Sequence, residues 1–239
     1  MVNVICMKWG KKYDAKFVNT LRSMVARHLS IPHRFVCFTD DAQGIDERVE
    51  VFPLPEMDLP EGIPERCWRK LATFAPTLGD LQGTTLFLDL DIVILQSIDS
   101  LFEAPGEFLI IHDWKRPWRI EGNSSVYRFE IGRHPEVLDY FVNNLELVRK
   151  NHRHEQSYLS KKLYDKGVLS YWPSEWCCSF KRRCLPKWPL SWVKQPYFPE
   201  EAKIVVFHGD PNPDTAIAGK RAKRFRYMQP TPWVAEHWR

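Results

Sequence analysis

The sequence predicts an α/β domain with a mostly parallel, Rossmann-like central sheet flanked by helices and followed by an irregular C-terminal region. Three observations predict it. Short apolar runs alternate with segments of helical periodicity, the pattern of strands joined by crossover helices. The strongest strand signal, Leu86-Phe87-Leu88, passes directly into Asp89-Leu90-Asp91. More than half of the 10 Trp and 18 Pro fall in the second half, so the two halves are built differently.

Val2 to Met7 reads as a buried strand, broken by Trp9, Gly10 and Lys11. Tyr13 to His28 places Phe17, Leu21, Met24 and Val25 at helical spacing. Arg34 to Phe38 and Val49 to Leu54 read as the next strands, the second followed by a Pro-rich loop to Pro64. A helix is expected over Cys67 to Leu78, and a strand within Thr84 to Leu95. Phe108 to His112 and Ser125 to Glu130 read as strands, and Pro135 to Arg149 and Glu155 to Tyr164 as helices. Leu169 to Trp172 and Lys203 to Phe207 are late strands, and the chain after Gly209 reads as irregular. One domain spans 1–239, with a first half over about 1–115 and a second half, including the basic C-terminal segment, over about 116–239.

The formal net charge of +4 suits an anionic small ligand or a membrane surface and is too small to point to nucleic acid. Met1 to Trp9 is too short for a signal peptide, and no run of about 18 apolar residues follows, so the expected location is cytoplasmic. The six cysteines contain no C-x-x-C pair and read as free thiols in a reduced compartment.

Two carboxylates at the carboxyl end of a strand, Asp89 and Asp91, make a hard oxygen site suited to Mn²⁺ or Mg²⁺. Such an ion bridges diphosphate oxygens and stabilises a departing nucleotide. The plainer reading is a strand-end turn with solvated aspartates. His208-Gly209-Asp210 ends a second strand; its imidazole is a candidate third ligand, and Gly209 lets backbone approach phosphates.

With these motifs the chain resembles the GT-A glycosyltransferases of the D-x-D, metal-dependent type, particularly the retaining galactosyltransferase and glycogenin group. The resemblance implies a GT-A-like fold, a nucleotide-sugar donor with UDP favoured, and metal roles for Asp89, Asp91 and His208. It places Met7, Lys8 and Trp9 along the nucleotide, with Leu90 inside the acidic motif and Thr39 and Asp40 near the base. Cys67-Trp68-Arg69-Lys70 resembles an aromatic-x-Arg helix, which makes Arg69 the residue beside the nucleotide sugar. Gly122-Asn123-Ser124-Ser125 stands where the family contacts the donor sugar, marking Asn123 and Ser124. His154-Glu155-Gln156 resembles the Asp-Gln pair near the reacting carbon, marking Glu155 and Gln156 as catalytic; a glutamate in a first helical turn also simply suits the helix dipole. Lys220 is a candidate to fold over the diphosphate. An inverting reaction would need a base, for which Asp113, Glu155 or Asp210 would serve.

Lys181-Arg182-Arg183 and the 220–226 run are basic, and Trp172, Trp176, Trp188, Trp192, Trp233 and Trp238 are interspersed with them. Indoles pack on sugar rings and sit at membrane interfaces, and basic segments attract anionic lipid. A glycan or lipid-linked acceptor, met at the inner membrane face, fits both; a solvated basic face and core tryptophans are the alternative. Three rival functions remain. A haloacid-dehalogenase-type phosphatase would use Asp89 and Asp91 with Gly209-Asp210-x-x-x-Asp214. A sugar nucleotidylyltransferase would need a Gly-rich loop where Lys8-Trp9-Gly10-Lys11-Lys12 stands. A non-catalytic sugar-binding module leaves the paired acids without a role.

Overall fold

The structure is a computed structural model that describes residues 1–57, 59, 66–221 and 227–239. The first half runs β1 (Val2–Lys8), α1 (Ala15–His28), β2 (His33–Thr39), β3 (Glu50–Pro53), a 3₁₀ helix (Arg66–Phe74), β4 (Thr84–Leu88), β5 (Ile92–Ile94), α2 (Ser100–Glu103) and β6 (Phe108–His112). The second half runs β7 (Gly122–Glu130), α3 (Glu136–Asn143), α4 (Leu145–Asn151), α5 (Glu155–Asp165), β8 (Leu169–Tyr171), β9 (Cys177–Ser179), a π-helical turn (Phe180–Cys184) and a 3₁₀ turn (Leu190–Trp192). It ends with β10 (Ile204–Val206), α6 (Pro213–Ala218), β11 (Lys220–Arg221), β12 (Tyr227–Met228) and α7 (Pro232–His237).

Seven strands form the central sheet in the order β3-β2-β1-β4-β7-β6-β8. Only β7 runs against the others. Alternation within each strand divides the core. Val4, Cys6, Leu86 and Leu88 face α1 and a small sheet of β5, β10 and β9. Ile5, Met7 and Phe87 face the 3₁₀ helix and α3 to α5. With both faces covered, β1 and β4 read as continuous apolar runs rather than alternating ones.

Helix α1 starts where the Asp14 side chain accepts from the Lys16 N–H at 3.1 Å, and it buries Phe17, Val18, Leu21, Met24 and Val25 on the sheet. The segment read as a helix to Leu78 is instead a 3₁₀ helix that stops at Phe74, two residues before Pro76, whose ring and missing N–H end helical runs. The expected helix from Pro135 to Arg149 is two helices broken at Asn144. Cys177–Ser179 is a strand the sequence pattern hid, and the region after Gly209, expected to be irregular, carries α6, the antiparallel pair β11 and β12, and α7. Residues 222–226 of the basic run lie outside the described residues, as does part of the loop to Pro64. Trp172 and Trp238 are core residues, whereas Trp188 and Trp192 are about half exposed.

Gly132 has φ +71°, and a Cβ there would lie 2.8 Å from the Pro76 carbonyl oxygen. Gly132→Ala therefore combines a left-handed backbone with a backbone clash, and we expect a loss of about 1–3 kcal/mol in denaturant melts. An unchanged midpoint would contradict this turn geometry.

Candidate functional site

The carboxyl ends of β1, β2 and β4 point the same way, and the sequence motifs collect there. A cavity of about 350 Å³ is lined by Met7 and Trp9 beyond β1, Lys12 and Tyr13 before α1, Cys67 and Lys70 of the 3₁₀ helix, and Asp89, Leu90 and Asp91 beyond β4. The strand-end turn thus opens into a cavity, as carboxyl ends of sheets with parallel strands do.

Each acid has a fixed partner. Lys70 Nζ lies 2.7 and 2.8 Å from the two Asp89 carboxylate oxygens. It also donates to the Ser124 carbonyl at 3.3 Å, and the Ser124 hydroxyl donates to buried Glu155 at 2.5 Å. Burial alone would lower the Lys70 pKa, but Asp89, Glu155 and Asp91 outweigh it and hold the ammonium above the usual lysine range. Tyr13 Oη donates to Asp91 at 2.6 Å. Burial, then the Asp89 charge, push Asp91 up to about 6 despite that bond. Burial and the Glu155 carboxylate push the Cys67 thiol up to about 11.

The 3₁₀ geometry explains which basic residue reaches the acid. At three residues per turn, Cys67, Lys70 and Thr73 stack on one face. Cys67 and Lys70 line the cavity, and Thr73 hydrogen-bonds the buried Tyr127 hydroxyl at 2.9 Å. Arg69, singled out in the sequence, belongs to a different column and is not among the cavity's lining residues. Ser124 is positioned by a register jump: Ile110 pairs with Tyr127 but Ile111 with Asn123, which loops 124–126 out of the β6-β7 ladder. Asn123 itself turns inward on the loop, accepting the Ser125 N–H at 3.1 Å. Glu155 opens α5 with 3% of its surface exposed, and Gln156 beside it is partly buried.

Other sequence candidates sit elsewhere. Strand alternation sends Lys8 to the side opposite Met7 and Trp9, where its ammonium donates to the Asp41 carbonyl at 2.8 Å. Thr39 Oγ1 accepts the Asp41 N–H at 3.1 Å, and Asp40 accepts the Gly10 N–H at 3.0 Å. This knot shapes the 9–13 loop from behind. Lysine at the cavity is supplied by Lys12 and Lys70, which the sequence reading missed along with Tyr13. A period of two beyond Met7 reaches Trp9 and Tyr13 but not Lys12, and Lys70 is found only by three-residue spacing from Cys67.

His208 follows β10, and Phe207 N–H donates to the Asp91 carbonyl at 2.9 Å, so the histidine's backbone adjoins the acidic motif. Its ring, however, is engaged by β9: Nε2 lies 2.6 Å from Ser179 Oγ, and Trp114 stacks on it at 5.9 Å. Burial, then Lys181 and Arg182, lower its pKa, so the imidazole is neutral at pH 7. Gly209 has φ +74°, and Lys181 Nζ donates to the His208 carbonyl at 2.6 Å. Lys220 pairs with Asp210 on a separate cavity of about 480 Å³, and Asp214 pairs with Lys16 at 3.1 Å. Those two acids are therefore spent away from Asp89, against the phosphatase arrangement.

Among the described residues, no three His, Cys, Asp or Glu side chains stand together as a metal-holding set. The expected triad is thus not gathered: His208 faces Ser179. The acid pair does fit a divalent ion in its chemistry. Two carboxylates share one cavity, and Asp91 resists ionisation first because it is buried and then because of the Asp89 charge, a cost that a hard cation relieves.

No protein-family model and no curated protein matches the sequence. Solved structures do. A galactosyltransferase, LgtC, in complex with donor and acceptor sugar analogs, is 14% identical over 88% of each chain, with a TM-score of 0.58. The chain adopts the GT-A fold. The glycosyltransferase GlyE of Streptococcus pneumoniae TIGR4 is 14% identical over 89% of this chain and 56% of its own, at a TM-score of 0.60. The bifunctional glycosyltransferase WbbM is 12% identical over 89% and 46%, at 0.59. In this GT-A chain the cavity at the end of β1 and β4 lies where open α/β sheets take their ligands.

Proposed function

We propose that the chain is a glycosyltransferase that moves a sugar from a nucleotide-diphosphate donor, UDP-sugar favoured, to a glycan or lipid-linked glycan. The observation that carries this reading is the Asp89/Asp91 pair, set in a cavity with two lysines and two aromatic rings at the carboxyl edge of a GT-A sheet. Structures of like fold that are themselves glycosyltransferases support it.

Asp89 and Asp91 would hold Mn²⁺ or Mg²⁺, which when bound supplies positive charge to the donor diphosphate. Lys12, exposed beside the Tyr13 ring at 4.4 Å, adds a cation at the cavity mouth. Trp9 and Tyr13 offer aromatic faces to the base or ribose. Lys70 fixes Asp89 and, through Ser124, the carboxylate of Glu155, so both acids keep one orientation before substrate arrives. Glu155 then lies on the donor-sugar side as the acid near the reacting carbon. A phosphatase reading is not favoured, because β4 is flanked by β1 and antiparallel β7 and its distant acids are paired elsewhere.

The test is a melting-temperature panel of UDP, GDP, CMP and ADP with Mn²⁺. A ligand at 100-fold its Kd stabilises by about 2.7 kcal/mol. We expect one nucleotide to raise the midpoint with Mn²⁺ and to fail in Asp89→Asn. No shift with any nucleotide, together with phosphate release from a small phosphoester, would overturn the transferase.

A further inference from the structure

Five of the twelve large apolar side chains that stay exposed among the described residues lie in one eleven-residue segment. Between Lys187 and Tyr197 the chain leaves Trp188 at 52%, Leu190 at 46%, Trp192 at 45%, Val193 at 76% and Tyr197 at 48% exposure. Pro189 and Pro196 within it, Pro186 just before it and a single 3₁₀ turn stiffen it, so these side chains are held out by backbone rather than by a moving tail. Its polar residues include Lys187 and Lys194, both exposed, and Arg182 and Arg183 are exposed just before it. Apolar tips bracketed by lysine and arginine, with indoles among them, are the composition of a surface that sits in a lipid headgroup layer. No described helix is long and apolar enough to cross a membrane, so the contact is interfacial.

The segment also lines the second cavity. Trp188 and Ser191 line the cavity of about 480 Å³ together with Lys181, Asp210 and Lys220. Lys181 in turn holds the His208 carbonyl at 2.6 Å. The cavity is therefore lined both by the exposed segment and by Lys181, which holds the residue that follows β10.

We propose that residues 187–197 form an interfacial docking surface for an anionic phospholipid bilayer, which brings the 480 Å³ cavity, and with it the acceptor side of the proposed transferase, to the lipid headgroups. The acceptor's class narrows accordingly to a glycan carried on a lipid. The lipid-linked acceptor rests on the transferase reading; the docking itself does not.

Co-sedimentation with phosphatidylglycerol-containing vesicles, against pure phosphatidylcholine, tests it on the full chain. The wild type is expected to pellet with the anionic vesicles and to be released by salt. Leu190→Ser/Val193→Ser should weaken partitioning by roughly tenfold or more, since it removes two exposed apolar anchors. Lys187→Glu/Lys194→Glu should remove the preference for anionic lipid. Both variants should keep the wild-type melting temperature and nucleotide-induced shift. Independently of any variant, vesicles with brominated acyl chains should quench the wild-type tryptophan emission. Wild type that stays in the supernatant, or variants that pellet as well as wild type, would overturn the proposal. So would a chain that ignores vesicles but loses a dimer mass in light scattering on Leu190→Ser/Val193→Ser, since the face would then be self-associating. Loss of nucleotide shifts with intact vesicle binding would instead strike the transferase reading alone.

Discussion

Asp91→Asn should make the metal-free protein more stable above pH 6 while removing its metal-dependent turnover. Asp91 has 7% of its surface exposed and faces Asp89, Tyr13, Lys12 and Lys70. Burial and the Asp89 charge raise its carboxyl to about 6 from 3.8. The folded state therefore favours the protonated acid. That stabilisation is complete below the unfolded value and is lost as pH rises through about 6, where the ionised pair must be tolerated. A rise of that size corresponds to a free energy on the order of 3 kcal/mol. Asparagine keeps an acceptor for the Tyr13 hydroxyl and removes the charge, so we expect a gain of about 1–3 kcal/mol in chelator above pH 6, vanishing below about pH 4. The same change halves the acid pair, so Mn²⁺ should no longer raise the melting temperature, and transfer should fall by at least about 100-fold. A variant less stable than wild type at every pH would refute the repulsion. Wild-type turnover in the variant would refute the ion's seat.

Much of the scaffold around β1, α1 and β4 is legible because its signals are local. Both faces of β1 and β4 are buried, so those strands announce themselves as apolar runs, and Asp89 and Asp91 are marked by following one. The amphipathic stripe of α1 carries its own cap at Asp14. What was not legible depends on geometry that sequence spacing does not carry. A 3₁₀ rather than an α turn decides that Lys70, not Arg69, meets Asp89. A register jump in β7 decides that Ser124 reaches Glu155. His208 is placed near Asp91 through a backbone bond from Phe207, yet its ring direction is set by Ser179 on β9, a three-residue strand too short to show a period. The same holds after Gly209, where α6 and α7 are six residues each.

The largest loss of stability is expected from Lys70→Met. The ammonium is held by both oxygens of Asp89 and by the Ser124 carbonyl, and 12% of its side chain is exposed. Methionine preserves the length and apolar packing of the stem against Phe87, whose ring lies 5.4 Å from Nζ. It leaves Asp89, Asp91 and Glu155 facing one another with no ammonium on Asp89, and Lys12 remains at the cavity mouth beside Asp91. Removing one partner of a buried pair costs about 3–5 kcal/mol, because the remaining charge has lost its compensation. In a chain of this length each kcal/mol lowers the melting temperature by about 2–4 °C, so a drop of about 6–20 °C is expected in chelator. Arginine at 70 should recover part of it, since a guanidinium still presents charge and donors to a carboxylate. The informative comparison is with Mn²⁺. If Asp89 and Asp91 are the seat of a divalent ion, the ion substitutes for the missing ammonium, and Mn²⁺ should raise the midpoint of Lys70→Met by more than it raises that of wild type. An equal loss with and without Mn²⁺ would mean that Lys70 is itself the permanent counter-ion of this acid pair and that no metal binds between the two aspartates. The melt of this one variant therefore separates a structural ion pair from a site kept in shape for a metal.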